Sequence, residues 1–134
     1  MSANDNIKTI QTLYDAFTRG DVGVIIDSVT DDVDWAAEAA GTSAPWWGPK
    51  RGKEGVGAFF QAFASTMEVL EFTPVSIAAN DTDVMSVVKF RVKSLATGKH
   101  AAMDLHHYFK FRDGKIEYYR GTEDTLQTHE TLTK

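Results

Sequence analysis

The chain of 134 residues contains no cysteine. Disulfide staples, thiolate nucleophiles and thiolate-based zinc sites are therefore excluded. Nor is there a run of about 18 consecutive apolar residues, the length a membrane-spanning helix needs. No basic tract is present, and 14 Lys and Arg against 19 Asp and Glu leave a net charge of −5. Neither nucleic acid nor an anionic membrane surface is expected as a partner. Met1–Asn6 carry no basic segment followed by an apolar one. No signal peptide is expected, and the cytoplasm is the default compartment.

Other absences narrow the chemistry. No Gly-x-Ser-x-Gly elbow is present, so serine nucleophilic catalysis has no support. The glycines of Gly52-Lys-Glu-Gly55-Val-Gly57 follow no strand and fit no Walker pattern. His106 and His107 are adjacent, and adjacent strand residues face opposite sides, so they make no metal pair. His100 is in a turn and His129 near the end of the chain, and no spacing resembles a zinc or facial-triad site. Neither a metal nor a cofactor is expected. Proline is scarce: of three, Pro45 and Pro49 fall in one segment.

What is present is ordinary for one globular domain, with 43% hydrophobic and 25% charged residues. Ile7, Ile10, Leu13, Tyr14 and Phe17 recur at helical spacing, predicting an amphipathic helix over 5–19 that Gly20 ends. Asp21 caps a second short helix over 22–29. Val33, Trp35 and Ala37 alternate with Asp32, Asp34 and Ala36, predicting a strand. Residues 39–52 read as a loop that holds Trp46 and Trp47. A third helix over 55–67 buries Val56, Phe59, Phe60, Phe63 and Met67. Strands follow over 70–79 and 84–94, and a third ends at Arg112. Asp113-Gly114 is a strong hairpin turn signal leading into the last strand. Residues 125–134 read as a polar tail of this single domain. The order α-α-β-α-β-β-β-β implies the α+β class, with helices on one face of a curved, mostly antiparallel sheet.

Met103–Asp124 is the most informative stretch. His107 alternates in phase with Met103, Leu105, Phe109 and Phe111, which points it into the core. There an imidazole is either a general acid/base near neutral pH or a core histidine bonded to a neighbour. On the last strand Ile116, Tyr118, Arg120, Thr122 and Asp124 share one phase. An arginine among apolar walls must be paired, and Asp124 is the expected partner. That pair either anchors a substrate or fixes the fold.

Three segments carry a resemblance. They are Leu-Tyr-Asp-Ala-Phe-Thr-Arg-Gly-Asp (13–21) with Val29-Thr-Asp-Asp-Val-Asp-Trp35, then Gly48-Pro-Lys-Arg-Gly52-Lys-Glu-Gly-Val56-Gly-Ala-Phe-Phe60, then His107-Tyr-Phe-Lys-Phe-Arg-Asp-Gly-Lys-Ile116 with Tyr118-Tyr-Arg-Gly-Thr-Glu-Asp-Thr125. In this order and spacing they resemble the SnoaL-like branch of the nuclear-transport-factor-2-like superfamily, which includes relatives of ketosteroid isomerase. The resemblance implies a cone of three N-terminal helices and a strongly bent sheet, open at one end. It also implies a homodimer through the outer sheet face, where Met85 and Val87 lie among charges.

The resemblance places His107 where ketosteroid isomerases hold a protonated oxyanion-hole aspartate. Their tyrosine falls near Leu13, one residue from Tyr14, and their base near Ala37 or Glu38, of which only Glu38 could serve. Steroid isomerisation is not what this pattern favours. Limonene epoxide hydrolase relatives activate water with an Asp-Arg-Asp set, of which Arg120 and Asp124 supply part. The candidate catalytic residues are thus His107, Asp124, Arg120 and Glu38, with Glu38 alternatively a solvated loop acid. Tyr14, Trp35, Trp46, Trp47, Phe90, Phe109, Tyr118 and Thr122 are expected to line a pocket for a small apolar molecule. Trp46 and Trp47 either cap that ligand or staple their loop. The fold hosts many chemistries, so two function classes stay open. One is a cofactor-independent isomerase, cyclase or hydratase type using acid–base chemistry. The other is a non-catalytic binder or dimeric scaffold.

Overall fold

The computed structural model describes residues 2–134. Helix α1 spans Ala3–Arg19. Ser2 and Asp5 close a capping box at its start, and Gly20 ends it at φ 72°, a left-handed position that favours glycine. The stripe Ile10, Leu13, Tyr14 and Ala16 is buried. Asp21 caps α2, Val22–Asp27, by accepting from the Val24 amide. The expected helix to residue 29 stops short, because Val29 already belongs to strand β1, Val29–Ala37.

The segment expected as a loop contains strand β2, Gly48–Arg51, paired antiparallel to β1. Helix α3 covers Gly52–Ala64 and buries Val56, Phe60 and Phe63. A meander follows: β3 Met67–Ala79, β4 Asp83–Ser94, β5 His100–Arg112 and β6 Lys115–Thr122. The β5–β6 turn has positive φ at Asp113 (52°) and Gly114 (79°), as a tight hairpin of right-handed strands requires. One sheet results, in the order β2-β1-β6-β5-β4-β3, with β1 and β6 parallel. The structure is the α+β cone that the sequence implies, with α1, α2 and α3 packed against the sheet's inner face.

The last residues, expected as a polar tail, form helix α4, Thr125–Leu132. Its helicity rests on tertiary bonds more than on an apolar stripe. Asp124 caps it through the Gln127 amide, and Thr128 and Thr131 are buried. β6 begins pairing with β5 only at His106, so the β5 edge over residues 100–105 lacks a strand neighbour on that side. α4 covers this edge: the Gln127 side chain accepts from Ala102 N (2.6 Å) and donates to Ala102 O (2.9 Å).

Candidate functional site

β4 and β5 hold their expected phases. Val84, Ser86, Val88, Phe90 and Val92 are buried on β4, and His107 faces Ser86 in the β4–β5 ladder. On β6 the phase differs from expectation. A bulge shifts the register between Lys110↔Tyr118 and Phe111↔Ile116. An extra residue in one strand reverses the side-chain parity beyond it. Inward positions after Ile116 are therefore Tyr119, Gly121 and Glu123, and not Tyr118, Arg120 and Asp124.

Three expectations are corrected by this parity, and a fourth, Glu38, by its bond to Arg120. Arg120 turns outward and bonds Asp34 (Nη2 to Oδ1, 3.0 Å) and Glu38 (Nε to Oε1, 3.0 Å), with Tyr118 under its guanidinium at 4.2 Å. It does not pair with Asp124, which is exposed and caps α4. Glu38 is 57% exposed and committed to Arg120. Tyr118 packs against Tyr108 and Lys110 on the outer face, away from the cavity. Thr122, though mostly exposed, does reach the cavity mouth.

The cavity opens between the helices and the concave sheet. Its free volume is about 80 Å³. That is well below the roughly 300–1,000 Å³ usual for small-molecule sites. The aromatic walls stand close, so a ligand here must be small and flat or push the rings apart. Tyr14, Trp35, Trp46, Phe90 and Phe109 line it as expected, joined by Phe17, Phe59, Phe60, Phe63 and Phe72. Trp47 does not line it.

Polar groups in this aromatic chamber are few. His107 Nδ1 is 2.7 Å from Tyr14 Oη, which also contacts Ser86 Oγ. Burial pushes the His107 pKa down to about 3, with a smaller push from His106, so the ring is neutral at working pH. Burial also raises the Tyr14 phenol, which keeps its proton. These facts orient the chain of bonds. Ser86 has no other acceptor among the described residues, so its hydroxyl is satisfied by donating to Tyr14. Tyr14 then donates to His107 Nδ1, and the His107 proton resides on Nε2, which makes no hydrogen bond among the described residues. The expected imidazole titrating near neutrality is thus replaced by a neutral, oriented N–H donor.

Sequence reasoning missed Glu123, the carboxylate that lines the cavity. Its Oε1 accepts from Trp46 Nε1 (3.1 Å) and Trp47 Nε1 (2.9 Å), and its Oε2 from Thr128 Oγ1 (2.6 Å). Both tryptophans are buried, and the loop between β1 and β2 is stapled to α4 through this side chain. The signal was the alternation Tyr119, Gly121, Glu123, concealed by the bulge. Among the described residues no group of three or more His, Asp or Glu is placed to hold a metal ion, and no helix is long and apolar enough to cross a membrane.

Residues 10–119 match the model of the SnoaL-like domain. The chain belongs to the SnoaL-like domain family. No curated protein matches it. Among solved structures, the SnoaL-like domain is similar to an NTF2-like protein of unknown function from Burkholderia pseudomallei, at 22% identity over 100% of both chains with a TM-score of 0.90. It is similar to TerC, co-crystallised with polyporic acid, at 25% identity over 96% of this chain and 98% of that one, TM-score 0.83. An LEH-like epoxide hydrolase of M. tuberculosis shares 15% identity over 97% and 90% of the two chains, TM-score 0.74. The SnoaL-like domain thus has the fold of these NTF2-like structures.

Proposed function

We propose that this SnoaL-like domain binds a flat, largely apolar carbonyl compound in the cone and moves a proton at the carbon beside the carbonyl, without a cofactor. The observation that carries this reading is the neutral His107, held by Tyr14 with its Nε2 proton free for a ligand. A neutral imidazole in an apolar chamber is a strong, preorganised donor to oxygen that gains negative charge. Glu123 is the carboxylate available in the same cavity. Three bonds hold it, leaving about one lone-pair direction for a proton. In the forward step the C–H bond breaks and its proton passes to Glu123. The electron pair moves to the carbonyl oxygen, and the resulting enolate is bonded by His107 Nε2–H. Return of the proton to another carbon gives isomerisation, and attack by the enolate carbon gives cyclisation. That TerC, a protein of the same fold, is co-crystallised with polyporic acid supports a ligand for a protein of this shape.

A second reading, binding without turnover, is favoured by one observation: Arg120, Asp124 and Glu38 all lie outside the cavity wall. Methyl deuteration of acetophenone in D2O, followed by proton NMR, separates the two. Proton transfer predicts exchange above the buffer rate, reduced about 10²-fold or more in both His107→Ala and Glu123→Gln. Saturable binding with exchange at the buffer rate would sink the enzymatic reading and leave the binder.

A further inference from the structure

Tyr119 lies on β6 with 6% of its surface exposed. Its ring is wedged against Trp35 (4.1 Å between centroids), Phe109 (5.1 Å) and His107 (5.4 Å). The hydroxyl of Tyr14 is bonded to Ser86 and His107, and that of Tyr108 to Asp83. The Tyr119 hydroxyl makes no hydrogen bond among the described residues, and the residue borders the cavity. Trp35 Nε1, on the ring stacked against it, is buried and equally without a partner. Trp35 Nε1 is sealed in the wall, so the Tyr119 hydroxyl is the donor on this side that a ligand could engage.

The backbone has made room for this hydroxyl. Gly121 sits within β6, opposite Ala37 on one side and His107 on the other. Glycine weakens a strand interior and there marks a close approach. A Cβ on Gly121 would stand 2.1 Å from Tyr119 Oη and 2.8 Å from Cζ, distances no atoms tolerate. Burial, with Tyr14 and Glu123 nearby, holds the phenol well above its ordinary pKa, so it stays a donor.

We propose that Tyr119 Oη anchors the ligand by donating to its carbonyl oxygen alongside His107, and that Gly121 makes this possible. The site then selects carbonyl compounds over hydrocarbons of equal shape. This rests on the cavity being the ligand site proposed above. Titration calorimetry of acetophenone and of ethylbenzene, with wild type and Tyr119→Phe, tests it. The variant should bind acetophenone about 3- to 10-fold more weakly, the value of one hydrogen bond, and ethylbenzene within about twofold of wild type. Equal losses for both ligands, or none, would overturn the role of Tyr119 and leave the cavity reading intact. Failure of wild type to bind either would remove both. The empty proteins give a second readout: Tyr119→Phe should melt at the wild-type temperature or above. A fall of several degrees would mean the hydroxyl is bonded within the protein, against the proposal.

Discussion

His107 loses its ordinary basicity because its charged form has nothing to solvate it. The faces around it are Tyr14, Phe109 and Tyr119, and its one short polar contact comes from a phenol that keeps its proton. The consequence is a pH dependence with a definite sign. Between about pH 6.5 and about 3 the unfolded chain takes up a proton on this residue that the folded chain refuses. Stability is full above the unfolded pKa and falls as the pH drops through this window. The slope is at most about 1.4 kcal/mol per pH unit for one proton. His107→Gln has no such proton to take up. Urea unfolding of both proteins at pH 4.5 and 7.5 should therefore show the gap between them narrowing or reversing at the lower pH, the carboxylates being common to both. A gap of constant size would mean that His107 takes up its proton at the same pH folded and unfolded, and the desolvation argued for it would be wrong.

At the scale of elements, the periodicity was informative wherever a run of residues met one surface throughout. α1, β4 and β5 have that property, and their inward residues are those the pattern gives. β6 does not. Its alternation is broken by a bulge next to the hairpin, and single-sequence alternation carries no mark of an inserted residue. One such residue moved Arg120 from the pocket to the rim and put Glu123 in its place. α4 was concealed for a different reason: Gln127, Thr128 and Thr131 make it with bonds to distant residues and backbone, where an apolar stripe would have announced it. That account of α4 is checkable by hydrogen exchange. Gln127→Ala removes both bonds to Ala102, at a cost of about 1–2 kcal/mol because water can reach the gap. Exchange of the Ala102 amide should accelerate at least about tenfold, while amides of the β4–β5 ladder such as Val88 keep their protection. Unchanged exchange at Ala102 would show that α4 does not guard the β5 edge.

At the scale of the molecule, the sheet is assembled from two kinds of pairing. β3 to β6 join consecutively through short turns, whereas β1 reaches β6 from the opposite end of the chain, in parallel. Loop closure favours the local meander first, and the long-range parallel pair with its helices docks later. Val88 at the centre of β4 and Val33 on β1 are both fully buried, so truncating either to alanine costs roughly 1–3 kcal/mol, enough to analyse. In stopped-flow chevrons Val88→Ala should mainly slow folding, and Val33→Ala should mainly speed unfolding. The reverse ranking would place the nucleus in the helical layer. The order matters for the site. β1 and α3 carry Trp35, Phe59 and Phe60, and the loop after β1 carries Trp46, so the last layer to dock is the wall that closes the cavity over the meander. Trp46 and Trp47 pack there with Phe63, Met67 and Phe90 into a second buried cluster, and the Glu123 side chain ties their loop to α4. His107 and Tyr119, the donors proposed above, lie on β5 and β6 of the meander, so they are in register before that wall arrives.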